Sequence, residues 1–429
     1  MAQKKKQPKM KVTDFTEHPD VLKIMNGLKK DKINEKQFSD VLDTSGNQYV
    51  ELVQEGGGVL GVALLGYTYV LEQMGLRFLS VAGTSAGSIN AMMLAGMGDA
   101  SKSKSNEVIE TLGNTDLLSF VDGNDDSQEF VDALVAKAGR AKLIWKGWQV
   151  IDEIFDDLGL NPGDEFLNWM KKFLAKHNIK TLTDLENQFG KLPGNLVIRP
   201  GVGKTLDNLK PRVAIIAADL TTESKIEFPK MASLYWSQPE NENPALYVRA
   251  SMSVPYFFSP LKISNIPQGQ IAKKNWSDTV SFDGELPQEV FFVDGGVMSN
   301  FPIDVFHKKN SVPRLPTFGV RLGIDRNKIN NITSPLNLFG AMFNSLRHLH
   351  DYDFILRNPD YRMLITKIDI GKHDWLNFGI ENDAKVDLFR RGAEAASLFL
   401  RDFNWGEYKK IRDQMNIPDA YKPIVTYNT

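Results

Sequence analysis

Cysteine is absent from the 429 residues of this chain. The chain can therefore form no disulfide, no thiolate nucleophile, no iron–sulfur cluster and no zinc site with cysteine ligands. An excess of either charge is also missing, since 51 basic side chains oppose 53 acidic ones and the formal charge is −2. Because nucleic-acid binders normally carry a basic excess, we expect no nucleic-acid partner. The lack of cysteine fits a reducing compartment, and we expect a cytoplasmic protein.

Long apolar runs are missing as well. The longest uncharged stretch, residues 78–98, is long enough to span a bilayer but is interrupted by serine, threonine, asparagine and four glycines. Its composition instead predicts a buried strand, a tight turn and a buried helix, so we expect no transmembrane segment. The basic N-terminus, MAQKKKQPKMK, precedes no apolar run and is not a secretory signal. Its lysines form either a solvated tail or a weak contact with an anionic membrane surface.

The chain does contain an alternation of strand and helix patterns, which predicts an α/β fold with a mostly parallel central sheet. Residues 1–48 are polar and are interpreted as an N-terminal extension. The main domain is predicted over residues 49–403, with a helical insertion at about 100–200, a C-terminal part at about 324–403 and a tail at 404–429. The predicted strands are 49–54, 77–82, 212–220, 224–228, 245–248, 289–293, 317–322 and 363–370, and residues 264–287 are predicted to be a surface loop.

A G-x-S-x-G turn, Gly83 to Gly87, lies between a predicted strand and a predicted helix. This is the context that a nucleophile elbow requires. The turn is so sharp that side chains at positions 83 and 87 would collide, which explains both glycines. We therefore predict that Ser85 is a nucleophile and that the next helix directs its N-terminal dipole and amides, that of Ala86 included, at the serine hydroxyl.

A second glycine loop, Gly56-Gly57-Gly58-Val59-Leu60-Gly61, also follows a predicted strand and matches G-x-G-x-x-G. A dinucleotide site with this motif needs an acidic residue about 20 positions later, at the end of the next strand. That region reads FLSVAGTSAG and contains no acid, so we predict no nicotinamide cofactor and no other cofactor. The loop is interpreted as an oxyanion hole, in which the amides of Gly57 and Gly58 act together with that of Ala86.

An Asp294-Gly295-Gly296 motif directly follows the predicted strand EVFFV. An aspartate at the C-terminal end of a parallel strand lies where active sites form in α/β sheets. Asp294 is therefore the predicted general base, and the two glycines would let the backbone approach another loop. The alternative is an aspartate that only caps a glycine turn. Asp219 is a competing base, interpreted as structural because no glycine pair follows it.

Together these motifs resemble the patatin-like phospholipase family over about residues 49–403. The segment VAIIAADLTT resembles the family's core strand, RASMSVP at 249–255 is similar to its RASxSxP segment, and DGG followed by SNFP at 299–302 resembles its DGG…NxP. The resemblance implies a three-layer α/β sandwich and a Ser85–Asp294 dyad without histidine. It also implies hydrolysis of acyl esters of membrane phospholipids. Leu60 stands where the family usually has arginine or lysine, but backbone donors do not depend on that side chain.

Two other functions fit parts of the sequence. A Ser–His–Asp esterase would use the order Ser85…Asp294…His348, which α/β hydrolases share. However, His348 and His350 lie in an amphipathic helix pattern, and they are interpreted as packed or solvated. A non-catalytic lipid-binding or interaction protein could also be built on this fold, but the intact Ser85 and Asp294 favour an enzyme.

Several weaker signals receive structural interpretations. No H-E-x-x-H spacing surrounds His348, His350 and Asp351, so we predict no metal site. Gly201-Val202-Gly203-Lys204-Thr205 lacks the first glycine of a phosphate-binding P-loop, since Ile198 occupies that position, and we predict a turn. The apolar residues 143–151 (LIWKGWQVI) form either the core of the insertion or a peripheral membrane contact. The N-terminal 48 residues and the insertion could instead bind an activating ligand or partner.

Overall fold

The computed structural model describes residues 7–123, 158–309, 311–323 and 353–415, together with residues 329, 332, 333, 341, 342 and 345. The apolar segment 143–151 and the two histidines at 348 and 350 lie outside the described residues. Most of the amphipathic helix pattern around these histidines also lies outside them. Within the described part, the fold is an α/β sandwich built on a ten-stranded sheet.

The strands are β1 Val41–Asp43, β2 Gln48–Gln54, β3 Leu76–Thr84, β4 Gly159–Asn161, β5 Leu196–Ile198, β6 Val213–Asp219, β7 Ser224–Phe228, β8 Tyr256–Phe258, β9 Leu261–Ser264, β10 Glu289–Asp294, β11 Thr317–Leu322 and β12 Ile365–Ile368. The main sheet contains five neighbouring parallel strands, in the order β12-β11-β2-β3-β6. Strand β10 pairs with the last residues of β6 and with β9, β7 pairs with β6, and β1 pairs with β2 and β5. Strands β4 and β8 form a separate two-stranded sheet.

Helices cover this sheet, as the alternating pattern predicted. They are α1 Val12–Thr16, α2 Pro19–Lys30, α3 Val62–Gln73, α4 Ala86–Gly96, α5 Ser105–Asn114, α6 Asp164–Lys176, α7 Leu182–Gln188, α8 Ala245–Ser251, α9 Gln270–Val280, α10 Asn382–Asp402 and α11 Trp405–Met415. Helix α4 packs on β3 and β6, α8 packs on β6 and β10, and α10 packs along α3. None of the helices in the described part of the chain is both long and apolar enough to cross a bilayer.

Strand β10 runs antiparallel to β6, so the prediction that Asp294 ends a parallel strand was wrong. The reason is that β6 continues three residues beyond its last pairing with β3, which joins Thr84 to Ile216. Strand β10 returns along this extension and ends with Asp294 opposite Ala217. The aspartate therefore comes to the level at which β3 ends, although its strand has the opposite direction.

Two further local predictions were wrong. Residues 245–248, predicted as a strand, begin helix α8, whose first amide donates to the Asn243 side chain at 3.0 Å. A short apolar run does not distinguish a strand from a buried helix. The predicted loop 264–287 contains α9, because Trp276 is fully buried against Tyr235, with 5.3 Å between their ring centroids.

Both ends of the described chain contribute to the core. Residues 7–48, predicted as a polar extension, bury Phe15, Val21 and Leu28, and their strand β1 pairs with β2. The predicted tail after residue 403 forms α11, which buries Trp405 and Tyr408. The polar composition of both segments did not predict this packing, because a few apolar residues at helical spacing are enough to hold an amphipathic helix against the core.

A carboxyl group buried in the centre of the sheet leads to a prediction about stability. Glu51, on β2, accepts a hydrogen bond from the Thr317 hydroxyl at 2.5 Å, and burial raises its pKa to about 7. The unfolded chain ionises this group near 4.5, so the folded state binds the extra proton between pH 4.5 and 7. Stability from this group is therefore lost as pH rises through that window.

Glu51→Gln, which keeps the shape and removes the charge, should thus stabilise the protein relative to wild type as pH increases. We expect the difference in unfolding free energy to shift by about 2 kcal/mol in favour of the variant between pH 5 and pH 8. Urea denaturation at both pH values measures this shift. An equal difference at pH 5 and pH 8 would contradict the buried, proton-binding carboxyl.

Candidate active site

Ser85 occupies a strained turn between β3 and α4. Its backbone has φ 52° and ψ −120°, outside the regions that non-glycine residues normally adopt, and it is the N-cap residue of α4. Only 6% of Ser85 is exposed, so the residue lies in a pocket rather than on the surface. A strand, a sharp turn and a helix N-terminus are therefore present as the G-x-S-x-G motif predicted.

The surrounding glycines are required by close backbone approaches. A Cβ atom on Gly83 would lie 2.3 Å from the Gly87 carbonyl group, which confirms the predicted collision across the turn. A Cβ atom on Gly56 would lie 2.5 Å from the Asn300 Oδ1 atom and 3.0 Å from the Ser85 Cβ atom. The two glycine loops therefore meet at Ser85, with no space for a side chain between them.

The sheet register brings Ser85 and Asp294 to one level. Strand β7 pairs with residues 215–219 of β6 along one edge, so β3 and β10 occupy successive parts of the other edge, where Thr84 lies opposite Ile216 and Asp294 lies opposite Ala217. Ser85 directly follows Thr84, so it lies beside Asp294 at the point where the ends of β3 and β10 meet. Asp294 is 4% exposed, and its Oδ1 atom accepts the Gly296 amide at 2.7 Å, which orients the carboxyl group.

The first glycine of the DGG motif, Gly295, is required by a close approach of two backbone segments. A Cβ atom at this position would lie 2.1 Å from the Ile216 carbonyl oxygen. The chain after Asp294 therefore passes directly against the backbone of β6, as the glycine pair predicted.

The RASMSVP segment, to which the sequence assigned no role, holds both candidate residues. The Ser251 hydroxyl accepts the Ser85 amide at 2.9 Å, and the Ser253 carbonyl accepts the Asp294 amide at 2.7 Å. Arg249, 3% exposed, donates to the Ser253 hydroxyl and to the Ser259 carbonyl, the latter at 2.8 Å. Burial lowers the pKa of this guanidinium to about 10. The sequence signal for this contact is the spacing of Arg249 and Ser253, four residues apart, which lets the arginine side chain reach the serine just beyond the end of α8.

The glycine loop supplies unused amides beside Ser85. Across the described segments, the amides of Gly57, Gly58 and Ala86 donate no hydrogen bond to the protein. Gly58 has φ 54°, a backbone conformation that glycine adopts without strain. Gly56 differs from the prediction, because its amide already donates to the Asn300 carbonyl at 3.0 Å. Gly61 likewise serves packing, since a Cβ atom there would lie 2.9 Å from the Ala86 Cβ atom.

A buried ion pair, which no sequence motif indicated, precedes this loop. The Glu55 carboxylate accepts Arg321 Nη2 at 2.9 Å and the Leu322 amide at 2.6 Å, and the side chains of the pair are 3% and 1% exposed. The Arg321 guanidinium lies 5.3 Å from the Phe301 ring centroid. A Cβ atom on Gly57 would lie 2.7 Å from the Leu322 side chain. The pair therefore fixes the end of β11 against the start of the glycine loop.

The other candidate base is occupied by structural contacts. Asp219 Oδ1 accepts the Thr221 amide at 2.8 Å, and Oδ2 accepts the hydroxyls of Thr222 and Tyr235 at 2.8 and 3.0 Å. This confirms the structural interpretation of Asp219.

Each histidine in the described part of the chain has a partner away from Ser85. His307 contacts the Tyr361 hydroxyl at 2.8 Å and His373 contacts Asp387 at 2.8 Å. His177 lies 3.1 Å from Glu107, and His18 accepts the Asp20 amide at the start of α2. A histidine base is therefore not supplied by these four residues.

The chain is similar to two known proteins and matches the model of one family. The protein YqhO of Bacillus subtilis (strain 168) is 29% identical over 360 residues, which cover 83% of this chain and all of that protein. The crystal structure of VipD from Legionella pneumophila is similar with a TM-score of 0.43 at 16% identity, over 86% of this chain and 70% of that one. The model of the patatin-like phospholipase family matches residues 52–307, which include the Gly56 loop, Ser85 and Asp294. The chain therefore belongs to the patatin-like phospholipase family.

Proposed function

We propose that this lipid acyl hydrolase is a phospholipase of type A that cleaves fatty-acyl esters of membrane glycerophospholipids with Ser85 and Asp294. The observation that carries the proposal is the meeting of a strained, buried serine, a buried carboxyl at the same level of the sheet and unused amides on two loops. The strained backbone of the serine costs stability, and the amides need an acceptor. A hydrolase uses the serine as its nucleophile, the carboxyl as its base and the amides to bind the oxyanion.

In the first half-reaction, the Ser85 Oγ atom attacks the ester carbonyl carbon while its proton passes to the Asp294 carboxylate. The new oxyanion accepts hydrogen bonds from the amides of Gly57, Gly58 and Ala86, each worth about 3 kcal/mol in the transition state. The bond from carbon to the lysolipid oxygen then breaks, and Asp294 returns the proton to that oxygen. The acyl group remains on Ser85.

In the second half-reaction, water attacks the acyl-enzyme. Asp294 accepts a proton from the water, the tetrahedral intermediate forms again, and its collapse returns the proton to Ser85 and releases the fatty acid. The dipole of α4, whose N-terminus begins at Ala86, favours the negative charge in both steps.

We also propose that the enzyme meets the bilayer through the small sheet β4–β8. Tyr256 is 51% exposed and pairs with Gly159, which follows Leu158, 49% exposed. Tyr256 lies three residues after Ser253, whose carbonyl holds the Asp294 amide. An exposed aromatic and an exposed aliphatic side chain next to the site give a surface suited to the interface between headgroups and acyl chains.

The test is incubation of the purified protein with mixed phospholipid vesicles and identification of the products by mass spectrometry. We expect equal amounts of free fatty acid and lysolipid from the wild type, and neither from Ser85→Ala. A phospholipid headgroup released without a fatty acid, or products formed by Ser85→Ala, would refute the assignment. Separate His348→Gln and His350→Gln variants test the triad alternative, and a loss as large as that of Ser85→Ala would support it.

The membrane contact is tested on the same vesicles. A Leu158→Ser/Tyr256→Ser double variant should hydrolyse a soluble ester like the wild type but hydrolyse vesicles several-fold more slowly. Ile271→Ser is the matched control, because Ile271 is 90% exposed but lies on α9. Equal vesicle hydrolysis by the double variant and the control would exclude this surface.

A further inference from the structure

A cavity of about 390 Å³ lies at the edge of the sheet opposite to Ser85. One wall is the turn at 201–205, whose sequence does not match a P-loop. The other wall is the segment 308–314, which precedes β11. The lining residues are Gly203, Lys204, Thr205, Lys308, Ser311, Val312, Pro313 and Arg314. Three of them are cations and none is a carboxylate.

The carboxylates near this cavity are already engaged. Asp40 accepts the Lys409 ammonium at 2.9 Å, and the Asp207 carboxylate accepts the Thr205 hydroxyl at 2.7 Å. Burial lowers the pKa of Lys204. Asp40 acts to raise this pKa, whereas the neighbouring cations Lys409, Arg314 and Lys308 lower it further. A hydroxyl does not cancel the charge of Asp207, but among the described residues the three lining cations outnumber this one unpaired carboxylate, and the cavity keeps a net positive field.

The cavity is a fixed part of the fold, because its cations join the two walls. Lys204 Nζ donates to the Val312 carbonyl at 2.7 Å, and Arg314 Nη1 donates to the Asp207 carbonyl at 2.7 Å. The Arg314 carbonyl in turn accepts the Asp40 amide at 3.0 Å, which attaches this segment to the strand β1. Lys308 is exposed, and its ammonium forms no ion pair with any residue in the described segments.

We propose that this cavity binds the phosphate group of an anionic ligand, as a site separate from the acyl-hydrolase centre. Lysine and arginine are the side chains that bind phosphate oxygens most strongly, and the Ser311 hydroxyl on the lining adds a neutral donor. The volume accommodates a phosphate together with an organic group. Without such a ligand, the three cations repel one another.

The position of the cavity favours a soluble phosphate ester over a lipid headgroup. Strand β11 separates the cavity, before Thr317, from the glycine loop, beside Leu322, by about 17 Å at the usual rise per residue. An enzyme that approaches a bilayer with its Ser85 edge would direct this cavity away from the membrane. This argument on the source of the phosphate rests on the proposed function, whereas the binding of phosphate does not.

Isothermal titration of the full chain with pyrophosphate at low salt tests the site. Lys308→Gln is the informative variant because its ammonium supports no fold contact, and Lys309→Gln is its matched control because Lys309 is exposed but does not line the cavity. We expect Lys308→Gln to weaken binding about five-fold or more and Lys309→Gln to leave it unchanged within two-fold. Both variants should keep wild-type hydrolysis of a soluble ester.

Three outcomes are distinguished. No heat of binding, or equal weakening by Lys308→Gln and Lys309→Gln, overturns the site. Binding of pyrophosphate and of a nucleoside triphosphate that depends on Lys308 supports a soluble ligand. Binding that depends on Lys308 and occurs only with vesicles containing a phosphorylated inositol lipid supports the phosphate site but overturns the soluble source. Because each of these outcomes is measured by binding and not by ester hydrolysis, a failure of the site is separate from a failure of the proposed function.

Discussion

Asp294→Asn is expected to slow ester hydrolysis by about 10²–10⁴-fold, the usual contribution of a positioned general base. The amide keeps the size of the side chain and an oxygen for the Gly296 amide, so the turn after β10 should remain intact. What it cannot do is accept the serine proton. Asp219→Asn is the matched control. Asp219 is also buried, and it lies on the neighbouring strand β6, two residues beyond Ala217, the residue opposite Asp294.

The measurement is hydrolysis of a soluble ester per mole of folded protein, with folding followed by circular dichroism. Asp219→Asn should lose stability, since an amide cannot replace all of the carboxylate's bonds, but it should retain activity within a few-fold. Activity retained in Asp294→Asn and lost in Asp219→Asn would reverse the two roles.

We also expect that the backbone strain at Ser85 lowers stability although the residue is needed for activity. Ser85→Ala leaves the strained φ of 52° in place, whereas Ser85→Gly relieves it. We expect both variants to be inactive and the glycine variant to be more stable than wild type by about 1 kcal/mol. A destabilised, inactive Ser85→Gly would show that the serine contributes to folding more than to chemistry.

The second large effect concerns the buried ion pair before the glycine loop. Arg321→Lys should lower kcat for a soluble ester by about 10–100-fold and leave KM within a few-fold. A lysine keeps the charge but cannot reproduce the bond geometry that Arg321 makes with Glu55. A shift of the glycine loop by a fraction of an ångström weakens amides that act only on the transition state, and such a loss appears in kcat.

Arg412→Lys is the control for burial of an ion pair. Arg412 Nη1 lies 3.1 Å from Asp360, and the two side chains are 4% and 0% exposed, close to the burial of the Glu55 pair. This second pair joins α11 to the segment at residue 360, remote from the glycine loop. We expect a comparable fall in melting temperature in both variants and a fall in kcat only in Arg321→Lys. A loss of kcat in both would mean that the effect is general destabilisation.

The candidate site could be predicted because its residues carry local signals. The glycines at 56, 83 and 295 are needed where one backbone passes close to another, and such positions are visible as short motifs. The contacts that hold these motifs in place gave no such signal. Ser251 and Ser253, which bind the amides of Ser85 and Asp294, are far from both in the chain and ordinary in type.

The α/β architecture, the turn at Ser85 and a carboxyl after a late strand could all be predicted, since they follow from periodicity and from glycine sterics over a few residues. Three features became visible only in the folded chain: β10 returns antiparallel, Glu55 pairs with Arg321, and residues 7–48 contribute to the core. Each of these depends on pairing between distant segments, whose energy is set by burial and register after the chain has folded and leaves no pattern in either segment alone.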